Sequence, residues 1–277
     1  GGTGTSAITL VLNTSGTIDV PSGRLLLGSG GTFQAGLLDI QSGGVLNGTG
    51  TINADVNNAG TINPGLSPGA ITINGDYTQA AVGVLNVELN GTAPGTGFDQ
   101  LNVMGLVSLS GVLNTSLGFT PAVGNTFRII DNAAANAVSG IFTGLPNGAT
   151  FTVATTPFRV RYDGGDGNDV VLAAICDPVV TNTNDSGPGS FRAGIDCANA
   201  NPGLDTITFA IPGAGAHTID VGSTGLGALP TVTDAVIING YSQSGASVNT
   251  LASGTNAVLL IELNGTSAGL NANGLTI

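Results

Sequence analysis

The sequence contains no lysine and no tryptophan, one histidine, one methionine and only five arginines. Each shortage excludes something. Charged residues make up 8% of the chain, against roughly a quarter in an ordinary soluble domain. With a net charge of −12 and no basic cluster, the chain has almost nothing to displace counterions from phosphates, which excludes nucleic acid as a partner. No apolar run approaches the roughly 20 residues needed to span a bilayer, so membrane insertion by this segment is not expected. No basic-then-apolar signal opens the chain, which is read as a mature or excised segment. Missing lysine and scarce arginine also leave few trypsin-like cleavage points, a trait suited to the outside of the cell.

Glycine is what the chain has in abundance, 46 residues beside many Asn, Thr, Ser, Val, Leu and Ile. This is not the charge-rich, apolar-poor composition that stays disordered. It fits short β-branched strands separated by Gly, Asn and Asp turns. Residues 1 to about 75 repeat weakly: SGTIDV, GGTFQAGLLDI, GGVLNGTGTINADV and AGTINPG each place a glycine turn before alternating apolar and polar residues. A lone short strand cannot bury its apolar face, whereas stacked repeats can. Asn13, Asn47, Asn53, Asn57 and Asn63 are expected at the corners, since Asn tolerates left-handed backbone.

From about residue 76 to 175 the strands lengthen, and TPFRVRYDGGDGNDVVLAA reads as a hairpin with DGGDGND as its turn. The same stretch fits the calcium nonapeptide G-G-x-G-x-D-x-U-x. A calcium site needs oxygens from successive copies, and no second copy follows, so the turn is the preferred reading. Asp163, Asp166 and Asp169 remain a weak calcium candidate, and no other cofactor is expected. At Cys176-Asp177-Pro178 a second unit begins, giving domains 1–175 and 176–277. Ser190 is placed to cap a helix with Phe191, Ile195 and Ala198 on one face, ended by Asn201-Pro202-Gly203. Cys176 and Cys197 fit an oxidised pair in a secreted protein, the alternative being two buried thiols.

NNAGTINPGLSPGAITINGDYTQ, a strand ending VELNG, FDQLNVMG and the closing RVRYDGGDGNDVVL resemble the passengers of bacterial autotransporters and related large adhesins (about residues 57–175). TNTNDSGPGSFRAGIDCANANPGLDTITFAI with LPTVTDAVIINGYSQSGA resembles the CSLREA-type module of secreted bacterial proteins (residues 176–277). The resemblances imply right-handed parallel β-helices, the first closed by hairpins and the second opening with a helix. The expected fold class is therefore all-β: right-handed parallel β-solenoid units with closing hairpins and one short capping helix.

Catalytic residues are not expected. The lone His217 stands in AHTIDV without a partner pattern. Asn182-Thr183-Asn184-Asp185 hints at a polysaccharide hydrolase motif, but the companion Asp pair and Gly-His-Gly are missing. The expectation is a non-enzymatic extracellular structural protein of a bacterial surface or matrix, a β-solenoid stalk or head-to-tail filament subunit. Self-association is expected through the strand-like termini, GGTGTSAITLVLN and NGLTI. The alternative is an adhesin segment that binds a glycan or other surface ligand.

Overall fold

Alternation of apolar and polar residues makes a strand with one face for the interior and one for water. The Gly44–Asn58 strand does this: Leu46, Ile52 and Val56 are buried, whereas Asn47, Thr51 and Asp55 lie outside. The computed structural model describes residues 5–8, 12–154, 156–176, 178–201, 203–270 and 272–277. Two units divide the chain, Gly1–Ile175 and Cys176–Ile277.

In the first unit, parallel pairing carries the alternation from strand to strand. Leu46 lies opposite Leu25 and Ile62, Ile52 opposite Phe33 and Ile73, and Val56 opposite Leu38 and Tyr77. Ile62 in turn faces Leu85, and Leu85 faces Leu113. Inward side chains therefore stack in apolar columns. Glycine permits the close approach in between: Gly48 has φ +116°, and a Cβ there would strike the Leu27 carbonyl.

Toward the end of this unit the direction of pairing changes. Thr150–Val153 runs antiparallel to Thr156–Gly164, which runs antiparallel to Asp169–Ala174, which also runs antiparallel to Thr126–Asn132. All of these strands join one 17-stranded sheet. The expected fold of right-handed parallel β-solenoid units is thereby corrected: the main sheet is mixed and nearly closed, like a barrel. Alternation specifies which face is buried but not whether the neighbour runs parallel or antiparallel. Glycine-rich turns serve both arrangements.

Where the pairing changes, aromatic rings fill the interior. Phe127 is fully buried, with ring centroids of Phe98, Phe119 and Phe158 at 5.4, 6.1 and 6.0 Å, all edge-on. Earlier strands fill the same layer chiefly with Leu, Ile and Val.

The second unit holds two small parallel sheets. Val179–Val180, Asp205–Phe209 and Val236–Asn239 form one, and His217–Asp220 with Ile261–Asn264 forms the other. One helix, Phe191–Ala200, starts where the Ser190 hydroxyl accepts from the Ala193 N–H at 3.2 Å. Its Phe191, Ile195 and Ala198 are buried with Val180, Ile207 and Phe209.

Cys176 and Cys197 form a disulfide with Cα atoms 5.7 Å apart, which ties the helix to the segment preceding Val179. The bond closes a loop of sequence separation 21. For a loop of this size, chain entropy gives about 3 kcal/mol of stabilisation. The Cys176→Ser/Cys197→Ser pair should lower the urea midpoint of the second unit accordingly while leaving the first unit unchanged. Equal midpoints in both proteins would show that the bond adds nothing.

Candidate functional site

The three aspartates of the nonapeptide do not converge. Asp163 is exposed and accepts two bonds from the Arg161 guanidinium, at 2.9 and 3.0 Å. Arg161 holds the Asp163 carboxyl below the usual range. Asp166 is exposed on the turn. Asp169 is completely buried and faces the other way, accepting from Arg128 Nη1 at 3.1 Å and from the Asn132 N–H at 2.8 Å. The GGDGND stretch is the turn of a hairpin, with Gly164 opposite Asp169. Asn168 extends its amide to the Ala134 carbonyl, and together with Asp169 it fastens the turn to the neighbouring segment. Among the described residues, no three His, Cys, Asp or Glu side chains gather as a metal site.

Asp185, at the end of the Asn182–Asp185 motif, is the polar centre of the second unit. Its Oδ1 accepts from Arg192 Nη2 and the Gly222 N–H, each at 2.9 Å; Oδ2 accepts from the Thr224 N–H at 3.2 Å and the Thr224 hydroxyl at 2.5 Å. Arg192 also donates to the carbonyls of Asp185, Gly227 and Ala228. Burial by itself would raise the Asp185 carboxyl, but the bonds from Thr224, Gly222 and Arg192 outweigh it and hold it well below the carboxylate range. With every lone pair direction taken up by the protein, this carboxylate fixes loops rather than meeting substrate. Arg192 is the only cation of residues 176–277, and a lone buried arginine must find a carboxylate. That rule could have told from sequence that Arg192 needs a carboxylate, but not which of the seven acids of residues 176–277 supplies it.

His217 lies on the His217–Asp220 strand, its Nε2 buried without a hydrogen-bond partner. G-x-S-x-G, the spacing of a serine nucleophile elbow, occurs at Gly65–Gly69 and Gly265–Gly269. Neither is a strand-to-helix turn, the setting an elbow requires.

The most elaborate surface feature is a cleft of about 520 Å³ on the outer face of the main sheet. Its floor is a ladder of asparagines. Asn63 donates to Asn47 at 2.9 Å, Asn86 to Asn63 at 2.5 Å, and Asn114 to Asn86 at 3.1 Å. Register creates the ladder, since Asn47 pairs with Asn63 and Asn86 with Asn114 across parallel strands. Asn13, Asn47, Asn53, Asn57 and Asn63, expected at corners, all stand within strands, with Asn47 and Asn63 facing outward. A second ladder links Gln34, Asn53 and Asn74.

One wall of the cleft is acidic. Asp99 is buried, accepting from the Gly69 N–H at 2.7 Å and the Glu88 N–H at 2.9 Å, which ties the Pro64–Gly69 loop to the Val84–Leu89 strand. Burial pushes its carboxyl up to about 6, the two backbone N–H groups oppose this, and the neighbouring Glu88 adds to it. Glu88 Oε2 and Thr115 Oγ1 are buried and have no hydrogen-bond partner. Arg24 also lines the cleft.

No family model and no curated protein matches this chain.

Proposed function

We propose that this chain is a non-enzymatic extracellular structural protein of a bacterial surface or matrix, used as a stalk or filament subunit in which copies associate through strand edges. One observation carries the reading. Among the described residues, no strand pairs with the outer edges of Val236–Asn239 and Ile261–Asn264. Beside those edges the second unit's apolar column is only partly covered: Val236, Ile238 and Ile261 are half-buried, Leu263 is 42% exposed and Leu259 69%. Leu263 lies over the buried Ile219, in the place where another strand would cover it. Open edges of this kind recruit strands. Among the described residues, the first strands of the main sheet, Thr5–Ile8 and Thr17–Val20, each pair with one strand, Gly23–Ile40. Joining two different edges is a heterologous contact, which gives an open filament unless the rotation closes. The disulfide supports an oxidising, extracellular setting, and the resemblance of residues 57–277 to adhesin passengers and CSLREA-type modules supports a bacterial surface.

The expected result in sedimentation velocity is growth of the wild-type species with concentration, while Leu263→Lys, which places a charge on the edge, stays monomeric. A wild-type monomer at every concentration would contradict the reading. The asparagine-floored cleft favours a second reading, an adhesin segment that binds a glycan.

A further inference from the structure

We infer that the cleft over the asparagine ladder is a binding site for one neutral sugar unit, held by Asn63, Asn86, Asn114 and the carboxylate of Glu88. This rests on the adhesin reading and gives it a place and a ligand class.

Its volume of about 520 Å³ falls within the range of small-molecule sites, about 300–1,000 Å³. Among the described residues no aromatic ring lines it, so recognition relies on hydrogen bonds rather than stacking. An amide has two donor hydrogens and two acceptor lone pairs. The ladder uses one of each for Asn63 and Asn86, and leaves the Asn114 carbonyl wholly free. Each of these rungs thus retains a donor and an acceptor. A hydroxyl both donates and accepts, so it is the complementary group. Rungs of neighbouring strands repeat at about 4.8 Å, a separation matched by hydroxyls on alternate carbons of one pyranose ring.

Glu88 Oε2 and Thr115 Oγ1, both lining the cleft, are buried without partners. A buried acceptor left unmet is unfavourable; Glu88 Oε2 is enclosed as the side chain stands, and a turn of that side chain into the cleft would let a ligand hydroxyl donate to it. Glu88 and Asp99 also set the charge preference. Two carboxylates against the single guanidinium of Arg24 leave the lining net negative, which disfavours a uronic acid. A neutral sugar fits this wall. Without stacking, a single site is expected to be weak, with Kd on the order of 1 mM, and to matter through many copies on one surface.

The test is a heteronuclear NMR titration of the full chain with the methyl glycosides of glucose, galactose and mannose. Methyl glucuronide and calcium chloride form separate arms. At least one neutral glycoside should shift the side-chain amides of Asn63, Asn86 and Asn114 saturably, and methyl glucuronide should not. Glu88→Ala should weaken binding by about tenfold or more, the equivalent of about 1.4 kcal/mol. Asn114→Leu, at the exposed end of the ladder, should do the same, and melting curves confirm that both variants fold. A glycoside that binds equally well to Glu88→Ala overturns the cleft assignment and leaves the adhesin reading standing. If only calcium shifts the Glu88 and Asp99 resonances, the site is a cation site and the inference is wrong. No response to any neutral glycoside well above millimolar concentration removes the inference and leaves the adhesin reading to ligands other than these sugars.

Discussion

Asp185→Ala should destabilise the second unit by about 3–5 kcal/mol, the cost of removing one partner from a buried ion pair. The aspartate side chain is fully buried and Arg192 is 10% exposed, so the arginine left behind cannot recover its loss in water. The Gly222 and Thr224 amides lose their acceptor as well. Hydrogen exchange at those two amides and the urea midpoint of the second unit are the readouts. A loss under 1 kcal/mol would show that the loops hold themselves. Replacing both partners, Asp185→Leu with Arg192→Met, should recover part of the loss, because it leaves no unpaired charge.

The pH dependence of this pair follows from its sign. The folded protein holds the Asp185 carboxyl below its unfolded value, which is about 3.9. Its contribution is therefore present in full above about pH 4–5 and declines as pH falls through and below the unfolded value, toward the folded one. Asp185→Asn should flatten the acid limb of the second unit's stability curve. Asp99 works the other way. Its carboxyl is raised to about 6 when folded, so its contribution favours folding most at low pH and is lost as pH rises through about 6.

Phe127→Ala should cost the first unit about 3–5 kcal/mol, the usual range for deleting a buried ring. Phe127 is fully buried, and three other phenylalanines meet it edge-on; such pairs add about 0.5–1.5 kcal/mol beyond burial. The ring also sits where Thr126–Asn132 turns from parallel to antiparallel partners. Loss of the ring should therefore loosen the hairpin of Thr156–Gly164 and Asp169–Ala174 first. Phe127→Leu should retain much of the stability by keeping volume. Urea unfolding at constant m value measures both, and a midpoint unchanged in Phe127→Ala would contradict the packing account.

Sequence legibility followed the range of the signal. The 156–174 hairpin could be read because its turn and its alternating arms are adjacent in the chain, and the Phe191–Ala200 helix because Ser190 and the apolar face lie within one window. The mixed sheet could not be read. Outside its hairpins, strand direction in this sheet depends on partners 16 to 47 residues away, and period-two patterning carries no direction. Gly30 and Gly31 read as a turn, yet Gly23–Ile40 runs through them as one long strand. The cleft was equally hidden. Its asparagines lie 16, 23 and 28 residues apart and meet only through register, and the Glu88–Asp99 wall depends on a loop closed from Gly69.

Negative-stain electron microscopy of the purified chain, prepared without denaturant near physiological salt, tests the central claim most directly. The account predicts filaments of uniform width that are absent in Leu263→Lys. Isolated particles of a single chain's size in the wild type would contradict it.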